Sequence, residues 1–204
     1  MITKEEIEHP RTPDELRQFV AEVRKRVESD QNELKKARKK VGLYKMFVDE
    51  VIPLALAADI VCEQSDLLMP VIGNQGYDVI VMDTERNEKG KIEIAKPYDG
   101  KADANDVRVV EERGFSEIKI HSLGGELSDI AAHILATARK KSLKDYTDCT
   151  LLIAGVITPP FECELEPLKE VAELLKEELQ SIKYFAKKVI LVVPPLEQFY
   201  VIQD

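Results

Sequence analysis

Residues 76–95 read GYDVIVMDTERNEKGKIEIA, and this stretch decides the fold. An apolar run over 79–82 and an alternating run over 91–95 predict two short strands, because strands favour β-branched residues and a period of two. The polar residues 85–90 between these runs predict a hairpin turn. The hairpin therefore predicts an antiparallel strand pair at this point in the sheet.

Outside the hairpin, helical and strand patterns alternate along the chain. Helices are predicted over 12–41, 43–58, 102–113, 126–144 and 167–184, and further strands over 116–121, 150–154, 188–193 and 199–202. A hairpin inside an alternating β/α order predicts an α/β fold with a mixed β-sheet that is flanked by helices on both faces.

The first helix is predicted to run from Thr12 to Val41. Thr12, Pro13 and Glu15 are typical of a capping box at its start. One face repeats at heptad spacing with a single polar member: Leu16, Val20, Val23, Val27, Asp30, Leu34, Ala37 and Val41. Such a seam suits either a two-stranded coiled coil between two copies of the chain or a long helix that lies across its own domain.

The sequence therefore divides into two parts. Residues 1–42 are predicted as an N-terminal long helix that is a candidate for homodimerisation, and residues 43–204 as an α/β domain. The basic run over 35–40 lies in the last turns of the long helix, where cations complement the helix dipole. A phosphate-binding patch is the alternative interpretation of this run.

The second helix carries a carboxylate on its apolar side. Glu50 falls inside a stripe formed by Leu43, Met46, Phe47, Leu54 and Ala57. Pro53 removes one backbone hydrogen bond, so a kink is predicted near Glu50. A carboxylate on a buried face requires a partner.

Three carboxylates, Glu50, Asp78 and Glu93, are therefore candidates for a site. If the two hairpin strands pair, Asp78 at the start of one strand approaches Glu93 in the other. Carboxylates that cluster repel one another unless protons or a cation neutralise them, and Mg²⁺ or Mn²⁺ does so with oxygen ligands. The alternative is that Asp78 is a turn residue and that Glu93 lies on a solvated face of the sheet.

Tyr77-Asp78-Val79-Ile80 and Ile92-Glu93-Ile94-Ala95, within an αβββαβ order, resemble the two acidic motifs of the PD-(D/E)XK nuclease-like fold shared by restriction endonucleases. The resemblance covers roughly residues 43–156. It implies a restriction-endonuclease-like core and a Mg²⁺-dependent hydrolase of DNA phosphodiesters. It also implies that Asp78 and Glu93 are catalytic metal ligands and that Glu50 is an additional metal ligand.

The lysine of the second motif is expected at position 95, which is Ala95 in this chain. Lys96 is adjacent but points to the other face of a regular strand, and only a bulge would turn it inward. Lys141 lies seven residues beyond Ile134 and continues the inward face of the predicted helix 126–144. Both lysines are catalytic candidates, and Lys141 is favoured.

The composition limits the class of protein. The chain has 204 residues, 44% of them hydrophobic and 33% charged, which suits one folded domain with an extension and excludes a disordered chain. No apolar run is long enough to cross a bilayer, and the polar N-terminal region with three widely spaced cysteines predicts a cytoplasmic protein without a disulfide framework.

The net charge of −9 disfavours tight nucleic-acid binding. Together with Ala95, it favours a second hypothesis, in which a catalytically degenerate nuclease-fold protein acts as a binding or assembly module.

Overall fold

A computed structural model describes residues 1–73, 75–97, 123–155, 165–193, 196 and 198–204. The predicted helix 102–113 and strand 116–121 lie outside the described residues.

Six strands of the described residues form one mixed sheet, and their order across the sheet is their order along the chain. They are β1 (Leu67–Pro70), β2 (Val79–Met82), β3 (Glu88–Ala95), β4 (Asp145–Ala154), β5 (Phe185–Val193) and β6 (Gln198–Gln203). Strands β1, β2 and β3 pair antiparallel, β3, β4 and β5 pair parallel, and β6 pairs antiparallel with β5. The predictions of a mixed sheet and of an antiparallel hairpin are confirmed, with Val79 opposite Ile92.

The described helices are α1 (Lys4–Ile7), α2 (Pro13–Ser29), α3 (Gln31–Arg38), α4 (Leu43–Met46), α5 (Ile52–Val61), α6 (Leu123–Ser142) and α7 (Leu165–Gln180). A π-helical turn, Phe47–Val51, joins α4 to α5. Within the described ranges, no helix combines the length and the apolar character that a bilayer crossing requires.

Two hydrophobic clusters cover the two faces of the sheet. Leu151 and Ile153 of β4 pack in the cluster that includes buried residues of α6 and α7. Leu152 and Ala154 pack in the other cluster, with buried residues of α2 and α5. Because successive strand residues point to opposite faces, the continuous apolar run of β4 supplies both clusters. The sheet is thus a middle layer between two helical layers, as predicted.

The prediction of one long helix from Thr12 to Val41 is wrong, because the helix breaks at Asp30. The backbone of Asp30 is extended (φ −126°, ψ 112°), and its Oδ1 accepts hydrogen bonds from the backbone N–H groups of Asn32 (2.8 Å) and Glu33 (3.2 Å). Asp30 therefore ends α2 and is the N-cap of α3, a role that its short carboxylate performs well. The predicted capping box at Thr12 and Glu15 is confirmed.

The apolar seam of α2 packs inside the chain. Leu16, Val20, Val23 and Val27 are all buried in the cluster that covers the α5 side of the sheet. Residues 1–42 thus share a hydrophobic core with the rest of the chain. The interpretation of the seam as packing across its own domain accounts for these contacts, and the structure does not support a homodimer through the seam.

Strand β1 is not among the predicted strands, and its apolar run is only four residues long. The strand is short and lies at the edge of the sheet, where Pro70 is tolerated. On its free side, Arg11 and Leu68 exchange two backbone hydrogen bonds of 3.0 and 2.7 Å. Long-range pairing with β2 and Arg11, rather than local pattern, therefore defines this strand.

The break between α2 and α3 leads to a test of stability. Asp30→Ala should lower the free energy of unfolding by about 1 kcal/mol, because it leaves two N-terminal N–H groups of α3 without their acceptor. Asp30→Asn keeps a side-chain oxygen and should stay within a few tenths of a kcal/mol of the parent. Urea unfolding followed by circular dichroism measures both, and equal stability of the parent and the alanine variant would contradict the capping role.

Candidate active site

Asp78 is held against β3 by two hydrogen bonds. It directly precedes β2, and its N–H donates to the carbonyl of Ile92 (2.9 Å). Its Oδ2 accepts from the N–H of Ile94 (2.7 Å). These two bonds reach the residues on either side of Glu93. The hairpin therefore brings Asp78 close to Glu93, as the sequence predicts.

Glu93 forms an ion pair with Lys141 on the α6 side of the sheet. Their side chains are only 13% and 18% exposed, and the Nζ of Lys141 donates to Oε1 of Glu93. The position of Lys141 follows from helix periodicity, since Ile134 and Ala138, on the same face of α6, are fully buried. Burial alone would lower the pKa of Lys141, but its hydrogen bond to Glu93 and the charge of Glu93 raise that pKa.

Tyr146 completes this part of the site. Its hydroxyl lies 3.4 Å from Oε1 of Glu93, and the Nζ of Lys141 lies 5.7 Å from the centre of its ring. Tyr146 is buried in β4, the strand that pairs with β3. Its ring and hydroxyl restrict the positions that Glu93 and Lys141 can adopt.

Glu50 lies in the π-helical turn and interacts electrostatically with both hairpin carboxylates. Burial is the first cause that raises the pKa of Glu50, to about 7; the charges of Asp78, Asp49 and Glu93 act in the same direction, and the charge of Lys45 opposes them. The irregular turn occurs where Pro53 predicts a kink, because proline cannot donate to the preceding turn. A π-helical turn is an uncommon feature that occurs often at functional sites.

Asp78 is affected by the same environment. The pKa of Asp78 is raised to about 6, first by burial and also by the charge of Glu93. The hydrogen bond from Ile94 and the charge of Lys141 oppose this rise. The pKa values of Glu50 and Asp78 are therefore both raised by partial desolvation and by neighbouring carboxylates.

Lys96 lies on the opposite face of β3 from Glu93, as strand alternation predicts. It forms an ion pair with Asp49, and both side chains are at least nine-tenths buried. The Nζ of Lys40 lies 3.2 Å from the same Oδ1 of Asp49. Burial lowers the pKa of Lys96, and the charge of Lys40 adds to that effect, whereas Asp49 opposes it.

Asp49 is the residue of this region that sequence reasoning missed. It is 5% exposed, and its Oδ2 accepts no hydrogen bond among the described residues. The π-helical turn changes which side chains face inward, so Phe47, Asp49 and Val51 are all buried. A helical wheel of regular period cannot show this. The two adjacent carboxylates Asp49 and Glu50, close to the kink that Pro53 predicts, are the sequence feature that points to Asp49.

The donor atoms suit a hard divalent cation, but they do not form a preorganised metal cage. In the part of the chain that the structure describes, no group of three or more His, Cys, Asp or Glu side chains is arranged to hold a metal ion. Glu93 is engaged by Lys141 and Asp49 by two lysines. Mg²⁺ typically uses one or two carboxylates together with waters and substrate phosphates, and Asp78 with Glu50 meets that lower requirement.

Comparison with models of protein families, with curated proteins and with solved structures found no match to this chain. A functional interpretation therefore depends on the chemistry of its own residues. The most informative of these are Asp78, Glu93, Lys141 and Glu50.

The raised pKa of Glu50 predicts a pH-dependent effect of Glu50→Gln. A carboxyl group whose pKa is higher in the folded state stabilises the fold below its unfolded pKa of about 4, and this contribution is lost as pH rises through about 7. Relative to the parent, Glu50→Gln should therefore gain about 1 to 2 kcal/mol of stability between pH 4 and pH 8, with solvent screening allowed for.

Urea unfolding at a series of pH values measures this difference. Asp148→Asn is the matched control, because Asp148 is exposed on β4 and should show no such trend. A constant difference between Glu50→Gln and the parent across the range would contradict the assigned environment of Glu50.

Proposed function

We propose that this protein is a cytoplasmic, metal-dependent phosphodiester hydrolase that acts on DNA. The observation that carries the proposal is the ion pair of Lys141 with Glu93, held next to Asp78 and within electrostatic reach of Glu50. Carboxylates grouped around one lysine are the set that metal-assisted phosphodiester hydrolysis requires. The raised pKa values of Glu50 and Asp78 also favour a functional site over a purely structural one.

In this proposal each side chain has a separate role. Asp78, Glu93 and Glu50 would hold Mg²⁺ or Mn²⁺, and the ion, when bound, would activate a water and offset the charge of the phosphate. The ammonium of Lys141 would donate a hydrogen bond to the attacking water or to a phosphate oxygen. Tyr146 would keep the carboxylate of Glu93 in position.

The order of the described elements supports the proposal. Among the described residues from α5 onward it is one helix, three strands, a helix and a strand, namely α5, β1, β2, β3, α6 and β4, with residues 98–122 between β3 and α6 outside the described ranges. This is the αβββαβ order that the resemblance to the PD-(D/E)XK nuclease-like fold implies. The two acidic residues of that resemblance, Asp78 and Glu93, lie in its expected hairpin.

Lys141 is the better candidate for the lysine of the reaction. It contacts Glu93, whereas Lys96 pairs with Asp49 on the other face of β3. Strand alternation explains this difference, since residues 93 and 96 cannot point to the same side of a regular strand. Lys96 is thus proposed to support the π-helical turn that carries Glu50.

A second candidate function is a catalytically degenerate protein that keeps the fold for binding or assembly. The observation that favours it is the buried Ala95, 2% exposed, at the position where the motif's lysine is expected. The lack of a ready three-ligand group among the described residues points in the same direction.

The proposed hydrolase should cleave plasmid and single-stranded DNA in the presence of Mn²⁺. Asp78→Asn and Glu93→Gln should each reduce the rate by at least about 10²-fold, because each weakens the binding of the cation that would offset the charge of the phosphate in the transition state. Asp148→Asn, which changes the same group on the exposed surface, should cleave at the parental rate. Gel electrophoresis of the DNA products measures the rate of cleavage by the parent and by the three variants.

Two outcomes would contradict the hydrolase. Equal cleavage by the parent and both site variants would assign the activity to a contaminant. No cleavage, together with no rise in melting temperature on addition of Mg²⁺ or Mn²⁺, would favour the second candidate function, because a cation that binds only the folded state must stabilise it.

The choice between the two lysines is tested separately. Lys141→Met should lower the rate of hydrolysis by about 10²-fold or more, and Lys141→Arg should restore part of it. Lys187→Met is the matched control, because Lys187 is exposed on β5, away from the carboxylates, and should not change the rate. A folded Lys141→Met variant with parental activity would exclude Lys141 from the reaction.

A further inference from the structure

The end of α3 and the segment that follows it are strongly basic. Residues 34–48 contain no Asp or Glu in a chain whose net charge is −9. The cations of this segment are Lys35, Lys36, Arg38, Lys39, Lys40 and Lys45. We name these six residues the α3 basic surface. Its charge contrasts with that of the chain as a whole.

The helix dipole does not account for all of these charges. Cations are favoured within the last turn of a helix, but Lys45 lies beyond α3, in the last turn of the short helix α4, which continues into the π-helical turn and does not end there. Leu34 and Ala37 pack against the core, which turns Lys35 and Arg38 outward. Lys35, Arg38 and Lys45 are exposed. Lys35 and Arg38 have no carboxylate partner within the described ranges, and the charge of Lys45 acts on Glu50, where it opposes the rise in pKa.

The α3 basic surface is joined to the candidate active site by Lys40. Its backbone has a positive φ of 52°, which is unusual for a lysine, and the N–H of Val41 bonds back to the carbonyl of Lys36 (3.0 Å). This turn ends α3 and brings the Nζ of Lys40 to Asp49, the neighbour of Glu50. The basic segment is therefore joined to the π-helical turn that carries Glu50.

We propose that the α3 basic surface binds the sugar-phosphate backbone of DNA and leads it to the carboxylates of the candidate active site. This inference rests on the proposed function, and it names the surface through which the substrate binds. The contact would be to phosphates and not to bases, because the surface offers charge without exposed aromatic rings for stacking.

The negative net charge of the protein does not prevent such binding. At about 0.1 M salt, charges more than about 10 Å apart are largely screened, so a phosphate at this surface experiences mainly the local cations. The predicted binding is therefore local and salt-dependent. An anionic membrane could use the same cations, and the test distinguishes it from DNA.

The experiment measures binding of a short fluorescein-labelled DNA duplex by anisotropy, with EDTA present so that no hydrolysis occurs. Lys35→Glu/Arg38→Glu should raise the Kd at least about tenfold near 0.1 M salt and reduce the slope of log Kd against log salt by about 2, since each phosphate contact contributes about 0.9. Both positions are exposed, and a thermal melt checks that the variant remains folded.

The matched control is Arg24→Glu/Lys25→Glu on the exposed face of α2, which makes the same change in net charge. It should change the Kd by less than about threefold. Equal losses in the two double variants would overturn the α3 basic surface, as would binding to phosphatidylserine vesicles without binding to DNA.

The inference and the proposed function fail in different ways. DNA binding that depends on Lys35 and Arg38, in a protein that does not hydrolyse DNA with Mn²⁺, would retain the surface and reject the hydrolase. Hydrolysis that depends on Asp78 and Glu93, with equal DNA binding by both double variants, would retain the hydrolase and reject the surface.

Discussion

The position of strand β3 in the middle of the sheet is the constraint on which the candidate site depends. β3 pairs antiparallel with β2 and parallel with β4, so both of its edges are used and its side chains can point only to the two helical layers. Glu93 consequently faces α6, where Lys141 meets it, and Lys96 faces the layer that contains Asp49. Charged side chains of β3 and of the residue that follows it therefore lie on both faces of the sheet.

On each face of the sheet, an ion pair compensates the buried charge. A buried carboxylate without a cation or hydrogen-bond donors is strongly destabilising, which explains why Lys141 accompanies Glu93 and why Lys96 and Lys40 accompany Asp49. Asp78 and Glu50 form no such ion pair among the described residues. Burial is the first cause of their raised pKa values, and the charges of Lys141 and Lys45, respectively, oppose the rise only in part. Carboxyl groups with strongly raised pKa values are common at functional sites.

Much of this arrangement follows from local pattern. Alternation within 91–95 separates Glu93 from Lys96, and the helical period places Lys141 on the face of Ile134. The wrong prediction at Asp30 and the omission of Asp49 also have local causes. Asp30 continues a heptad spacing and was therefore placed inside a helix, although its side chain is better suited to cap one. Asp49 was missed because the π-helical turn alters the period on which a helical wheel depends.

The sequence by itself determined the hairpin, the mixed sheet between two helical layers, the capping box at Thr12 and the facing directions of Glu93, Lys96 and Lys141. These features depend on periods of two and 3.6 residues and on short-range hydrogen bonds, which local residues specify. Only the tertiary structure decided the partner of each charge, the edge strand β1 and the burial of the α2 seam. Those outcomes depend on contacts between residues far apart in the chain, and on the desolvation that packing imposes on them.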